Sequence, residues 1–335
     1  MAAQKKAARQ RPQCDDQQLH NNTDATPSQD SGALDIPVTM EGKRAPREPM
    51  TVEALERVVR SLHRELLPSH KETLLYGSRI SEGQILQSGY FSISGTDLPR
   101  FGFSEKAGCA LGMPYRNRVG RIVQIDLRFD QPIDDPENSG KKIRYKSPWG
   151  LPKVCDWQGS LPDDKQSPVF LVEGRKKADA LRTWGLYAIA LPGIWALGLR
   201  AKEARKDFEG VDWDGRDVVV LFDTEIKPKT KAAVEKARAF NCEYLTSLGA
   251  IPKIVKLPYI EDSQGKMGVD DWIRAGGTKE QFFDLIQDPE PDWKSRLVLT
   301  DTGNVRVNTF ILSGNAWCPS YTEALYRPLW PIEQL

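Results

Sequence analysis

The chain has 335 residues, enough for about two domains with tails, and its 47 Lys and Arg balance 46 Asp and Glu. That balance excludes a globally basic surface, so contact with nucleic acid has to come from local clustering of positive charge. Five scattered cysteines form no C-x-x-C pair, which excludes a zinc ribbon and points to free thiols in a reducing cytoplasm, and His20, His63 and His70 all precede the motif-bearing region, so carboxylates are left to carry any chemistry.

In chain order, residues 1–49 are polar, rich in Gln, Asp, Thr and Ser, and cannot bury enough apolar surface to offset the entropy of ordering; a disordered tail is expected. Its Lys and Arg precede no apolar stretch, so it is not a secretory signal, and no run of the chain is long enough for a membrane span. Val52, Leu55, Val59, Leu62 and Leu66 recur at helical spacing ahead of Pro68, predicting an amphipathic helix from Thr51. From Thr73 to Pro168 short apolar runs broken by Gly, Pro and Asn predict a small α+β unit. Its clearest strand is 121–129; a turn follows at 134–142, and the chain returns as a strand at 143–145.

The next stretch alternates strand and helix. Strands are expected at 169–172, 187–191, 218–222 and 254–257, and helices at 176–184, along the face Ala233, Ala237, Phe240, Tyr244, Leu245 and Leu248, and at 270–275 and 279–286. Such alternation implies a parallel sheet covered on both faces, where ligands bind at the carboxyl ends of the strands. At those ends stand Glu173, then Asp223 with Glu225, then Asp270 with Asp271. Single acids there often do no more than favour the start of the next helix. Several on one sheet, without histidine or thiol, suit a hard cation such as Mg²⁺ or Mn²⁺.

The strings Leu171-Val-Glu-Gly-Arg-Lys-Lys-Ala-Asp-Ala-Leu181, Leu191-Pro-Gly-Ile-Trp195, Val219-Val-Leu-Phe-Asp-Thr-Glu225 and Gly268-Val-Asp-Asp-Trp272 resemble the Toprim-like family of unknown function found in phage and plasmid primases. The resemblance extends upstream through Tyr90-Phe-Ser-Ile-Ser94, Pro114-Tyr115, Gln124-Ile-Asp-Leu-Arg128 and Lys142-Ile-Arg-Tyr145. It implies a Rossmann-like, mainly parallel Toprim domain (169–290) preceded by an α+β primase-associated domain (50–168) and followed by a linker (291–335). It also implies template-directed nucleotidyl transfer with two Mg²⁺ or Mn²⁺ ions and no zinc. Glu173 falls on the family's glutamate, as metal ligand or proton acceptor, Asp223 on the first acid of its D-x-D motif, and Glu225 on the second, where Glu departs from Asp. The later acidic motif falls on Asp270 and Asp271, and the sequence leaves open which of them faces the site.

Lys176 and Lys177 open the helix after Glu173, where they either meet phosphate or form a solvated face. A second surface is expected upstream. Arg116, Arg118, Arg121, Arg128, Arg144 and Lys146 are interleaved with Tyr115, Tyr145 and Trp149, as a single-stranded template would require, although alternation lets only about half of them share one face.

No G-x-x-x-x-G-K-[ST] phosphate loop occurs. The segment 297–317, with Asp301-Thr-Gly-Asn304 and Val305-Arg-Val-Asn308, resembles the lead into the helicase domain of virulence-associated protein E-like replication proteins. The expectation is a truncated or split primase–helicase of a phage, plasmid or integrated element, acting in the cytoplasm on single-stranded DNA and nucleotides, with a helicase supplied by another chain. A Toprim nuclease and a non-catalytic DNA-binding or loading module are the alternatives.

Overall fold

The computed structural model describes residues 48–62, 65–135, 140–198, 202–260, 265–289, 297–299 and 305–307. The expected tail up to residue 47, the centre of the turn at 136–139 and most of the 297–317 segment lie outside the described residues.

Helix α1 (Val52–Ser61) starts where Thr51 Oγ1 accepts the Ala54 amide at 3.1 Å, and it buries Leu55 and Val59. It is shorter than its periodicity suggests: Leu62 is already extended, and Leu66 lies beyond the helix. Pro68 does not merely follow a helix but opens α2 (Pro68–Glu72), where its missing N–H costs nothing. Helix α3 (Glu82–Ser88), capped by Ser81 and closed by Gly89 in the left-handed region, has no counterpart in the sequence reading. It carries Gln84 and Ser88 on its buried side, so apolar periodicity does not betray it.

Strands β1 (Phe91–Ile93), β2 (Ala110–Arg116), β3 (Ile122–Asp134) and β4 (Lys142–Lys146) form an antiparallel sheet in sequence order. Ile125, Leu127 and Phe129 alternate to one face of β3 and pack with Leu55 and Val59 of α1. Leu111 and Met113 of β2 pack with Leu74, Ile80 and Ile85.

A second sheet holds β5 (Val169–Glu173), β6 (Tyr187–Leu191), β7 (Asp217–Leu221), β9 (Ile251–Val255) and the short β11 (Ile286–Gln287), in the order β11-β9-β7-β5-β6. The four longer strands are parallel, and β11 closes the edge antiparallel. Their continuous apolar runs are the mark of strands buried on both sides. Val169, Leu171, Ile189, Leu191, Val218 and Val220 face one core with Ala204 of α5 (Lys202–Lys206), Phe208, Trp213 and α6 (Pro228–Ser247). Phe170, Val172, Ala188, Ala190, Val219 and Leu221 face another, with α4 (Arg175–Thr183), α7 (Val269–Arg274) and α8 (Lys279–Asp284).

The buried face of α6 is rotated from the expected one. It comprises Val234, Ala237, Arg238, Asn241, Cys242, Tyr244 and Leu245, and so takes in two polar residues: Asn241 Nδ2 donates to Ile194 O at 3.0 Å and Arg238 Nη1 to Glu235, while Asn241 Oδ1 and Arg238 Nε have no hydrogen-bond partner.

The chain leaves β5 for edge strand β6 and then crosses back past β5 to β7. Helix α4, after β5, lies on one face, and α6, after β7, on the other. The carboxyl ends of β5 and β7 therefore flank the topological switch point, the place where an open α/β sheet leaves a crevice.

The two sheets are laced together at Asp156 and Trp157. Asp156 exchanges backbone hydrogen bonds with Ala190 of β6 at 2.9 and 3.0 Å, while Trp157 N donates to Arg116 O of β2 at 2.9 Å. Among the described residues no helix is long and apolar enough to cross a membrane. Cys155 and Cys242 are free and buried.

Candidate functional site

Glu173 ends β5, and Asp223 follows β7 by two residues; the parallel register sets Val172 beside Leu221, so the two acids leave neighbouring strands at the same edge. Glu225 lies on β8 (Thr224–Glu225), which pairs antiparallel with β10 (Lys266–Met267) just before α7. That hairpin-like pairing brings the start of α7, and with it Asp270, back to the switch point.

Gly268 marks the point of convergence. A methyl group there would lie 2.7 Å from Lys177 Cε, 2.9 Å from Asp270 Oδ1 and 3.1 Å from Asp223 Oδ1. The backbone at Gly268 is extended (φ −91°), so glycine is required by this crowding and not by its torsion.

The structure separates the two adjacent aspartates. Asp270 is buried beside Asp223 and Lys177, and its Oδ1 has no hydrogen-bond partner. Asp271, one position on and turned about 100° around the helix, pairs with Arg274 at 2.8 Å, which in turn donates to Gly77 O.

Burial raises the pKa of Glu173, with the charges of Asp223 and Glu225 adding to it against Lys177 and Lys266. Burial likewise raises that of Asp270, aided by Asp271 and Asp223 and opposed by Lys176 and Lys177. For Lys177 burial works to lower the pKa, but Asp223, Asp270 and Glu173 together carry it above its ordinary value. Its ammonium sits 2.6 Å from Asp223 Oδ1 and 2.7 Å from Oδ2. Lys176 points elsewhere, donating to Ser78 Oγ at 3.1 Å.

Among the described residues no three His, Cys, Asp or Glu side chains form a ready-made metal-ligand group. Instead a lysine stands between the acids, its ammonium against both oxygens of Asp223. The donor set still fits a hard divalent cation: all donors are carboxylate oxygens, and one of them is buried without a partner. Asp223 and Asp270, brought together above Gly268, could hold it, with Glu173 at the neighbouring strand end and Glu225 on β8.

The basic run divides. Arg121 is committed to α1 through Glu56 (2.7 Å) and Glu53 (3.1 Å). Arg116 is half-buried, and its Nη1 donates to Ser88 O at 2.7 Å; burial, then Arg175, lowers its pKa. Both guanidinium groups are paired within the chain, Arg121 at the surface and Arg116 below it. Tyr115 is buried and cannot stack on a base. Arg128 of β3 pairs in register with Tyr145 of β4, which places both on one face, and Tyr145 is exposed. Lys146 is in register with Leu127, on the opposite face, near Asp135. Arg118 is exposed and lies over the Trp157 ring, and Arg144 is half-buried on β4.

The sequence reading missed a buried ionic network next to this site. Asp179 accepts from Arg175 Nε (2.9 Å), Arg182 Nη1 (2.8 Å), Tyr90 Oη (2.6 Å) and Gln84 Nε2 (3.3 Å). Asp156 pairs with both arginines and accepts the Arg116 amide at 2.8 Å. The signal was present in the spacing of 175, 179 and 182, which shares one helical face with apolar Ala178 and Leu181.

Residues 157–280 match a family described as a domain of unknown function (DUF3854). Over 217 residues the chain is 35% identical to an uncharacterized protein of Picosynechococcus sp.; the match covers 58% of this chain and 21% of that protein, so the chain spans about a fifth of its curated relative. Among solved structures, the DnaG catalytic core is similar over 75% of this chain and 86% of its own (TM-score 0.49, 16% identity). The E. coli primase catalytic core is similar over 79% and 86% (TM-score 0.43, 17% identity). The Aquifex aeolicus primase, with its zinc-binding and RNA polymerase domains, is similar over 70% of this chain and 59% of its own (TM-score 0.47, 16% identity).

Proposed function

We propose that this chain is a primase-like nucleotidyltransferase that extends a strand on a single-stranded DNA template with Mg²⁺ or Mn²⁺. The observation that carries the reading is the meeting of Asp223, Asp270 and Lys177 around Gly268 at the switch point, with Glu173 on the neighbouring strand end. Bound there, divalent cations would lower the pKa of the attacking hydroxyl and neutralise the triphosphate.

The chain's own part is positional. Glu173, whose burial favours the protonated form, accepts the proton as the 3′-oxygen bonds to the α-phosphorus and pyrophosphate departs. Asp223, Asp270 and Glu225 would supply ligand oxygens to the metal. Arg128 and Tyr145, on one face of the antiparallel sheet, offer a positive charge and an exposed ring to template phosphate and base. The setting we propose is replication of a phage, plasmid or integrated element in the cytoplasm, with a helicase supplied by another chain.

The test is primer synthesis by purified protein on single-stranded DNA with labelled nucleotides and Mg²⁺ or Mn²⁺, compared with Asp223→Asn. Loss of synthesis by orders of magnitude at unchanged DNA affinity supports the proposal. Metal-dependent nicking by the wild type would instead establish a nuclease, and DNA binding without turnover a loading module.

A further inference from the structure

Lys177 stands where the acids meet. Its ammonium takes both oxygens of Asp223, yet Asp270 Oδ1, which crowds the same point above Gly268, is left buried and unpartnered. Lys177 is set among Glu173, Asp223 and Asp270, and Lys266 lies 3.7 Å from Asp223 Oδ2, yet neither ammonium pairs with Asp270 Oδ1, so the cluster keeps a demand for positive charge that a divalent ion meets better. The lysine is also mobile in principle: a compact point charge on a flexible four-carbon stem can be re-aimed without moving the backbone. Its place in the first turn of α4 puts it beside backbone N–H groups that favour anions.

We infer that Lys177 is a resident cation, holding the place of a divalent ion at Asp223, exchanging with it when metal arrives, and then turning its ammonium to the phosphates of the incoming nucleotide. The inference rests on the metal reading above. It makes metal and phosphate binding interdependent, because the exchange that fills the carboxylates also frees a phosphate ligand. In the absence of phosphate, the metal has to compete with a tethered ammonium.

The experiment measures Mn²⁺ binding by the loss of its free paramagnetic resonance signal, for the full chain, Lys177→Met and Lys177→Gln, with circular dichroism to establish folding. Equilibrium dialysis then compares binding of Mn²⁺–tripolyphosphate, a probe that carries no base preference. Both variants should bind Mn²⁺ alone at least about tenfold more tightly than wild type, since a competing charge has gone. Both should bind the Mn²⁺–tripolyphosphate complex more weakly than wild type does. This crossing is not produced by a lysine that merely braces Asp223. Asp223→Asn in the Lys177→Met background should abolish the gain. If wild type binds Mn²⁺ and the variants bind it no more tightly, or if they hold tripolyphosphate as well as wild type, the exchange is refuted while the metal site stands. If neither wild type nor variants bind Mn²⁺, the metal reading itself falls, and the exchange with it. Should the methionine and glutamine chains fail to fold, lysine-selective ¹³C spectra of wild type serve instead: the Lys177 Cε resonance must move on saturation with Mg²⁺, and a resonance that stays in place refutes the exchange.

Discussion

Replacing Asp179 by Asn changes almost nothing in volume and removes one charge from the middle of the buried network. Asp179 Oδ2 accepts from Arg175 Nε and Tyr90 Oη, and Oδ1 from Arg182 Nη1 and Gln84 Nε2. An amide has one acceptor oxygen, so whichever way it is turned, its NH₂ group faces one arginine and one neutral donor. Two arginines then share the single carboxylate of Asp156. Leaving a buried charge without its partner costs about 3–5 kcal/mol, against a total stability of about 5–15 kcal/mol. Taking about 4 kcal/mol and a urea slope near about 2 kcal/mol/M, the midpoint of urea unfolding should fall by about 2 M. A loss below about 1 kcal/mol, the value of an exposed pair, would refute the reasoning and mean that water reaches the network.

The pH dependence adds a second check. Burial acts to raise the Asp179 pKa but is outweighed by Arg175 and Arg182, so the folded value lies below the unfolded one. Its stabilisation is complete above the unfolded pKa of about 3.9 and is lost as pH falls through the folded value. The gap between wild type and variant should therefore narrow only in acid.

Gly268→Ala should abolish nucleotide transfer while costing about 1–3 kcal/mol of stability, measured by thermal unfolding, because the new methyl group meets Lys177, Asp270 and Asp223 at 2.7 to 3.1 Å. Arg128→Glu should weaken single-stranded DNA binding and reduce its salt slope by about one, whereas Arg121→Glu should leave affinity nearly unchanged and instead loosen α1, whose Glu53 and Glu56 it would repel. Fluorescence anisotropy over a salt series and thermal unfolding separate the two.

The parallel sheet was legible because a strand buried on both sides has to be apolar at every position, and 169–172, 187–191 and 218–222 are such runs closed by turn residues or acids. The strand-end carboxylates followed from that topology. What pattern does not carry is pairing across the chain. Arg121 and Arg128 are alike in sequence, and only the fold brings Glu53 and Glu56 to one of them. Asp270 and Asp271 are neighbours at the start of one helix, and a turn of that helix, with Arg274 one turn on, decides which looks inward. The reach of Lys177 across to Asp223 was hidden for the same reason. Helix α3 escaped because its buried polar side chains are satisfied by each other and by Asp179.

The lacing at Asp156 and Trp157 bears on how this chain can be divided. A boundary drawn at residue 168, between the antiparallel and the parallel sheet, would leave on the upstream fragment the segment that completes the edge of β6. The downstream fragment would display unpaired Ala190 groups along a raw strand edge, inviting self-association, and would lose the carboxylate that balances Arg175 and Arg182. The upstream fragment would in turn lose the covering of Trp157, which packs against Phe208 and Trp213. In this architecture the seam between the halves is stitched rather than hinged, and a single unfolding transition shared by both sheets is the expected outcome.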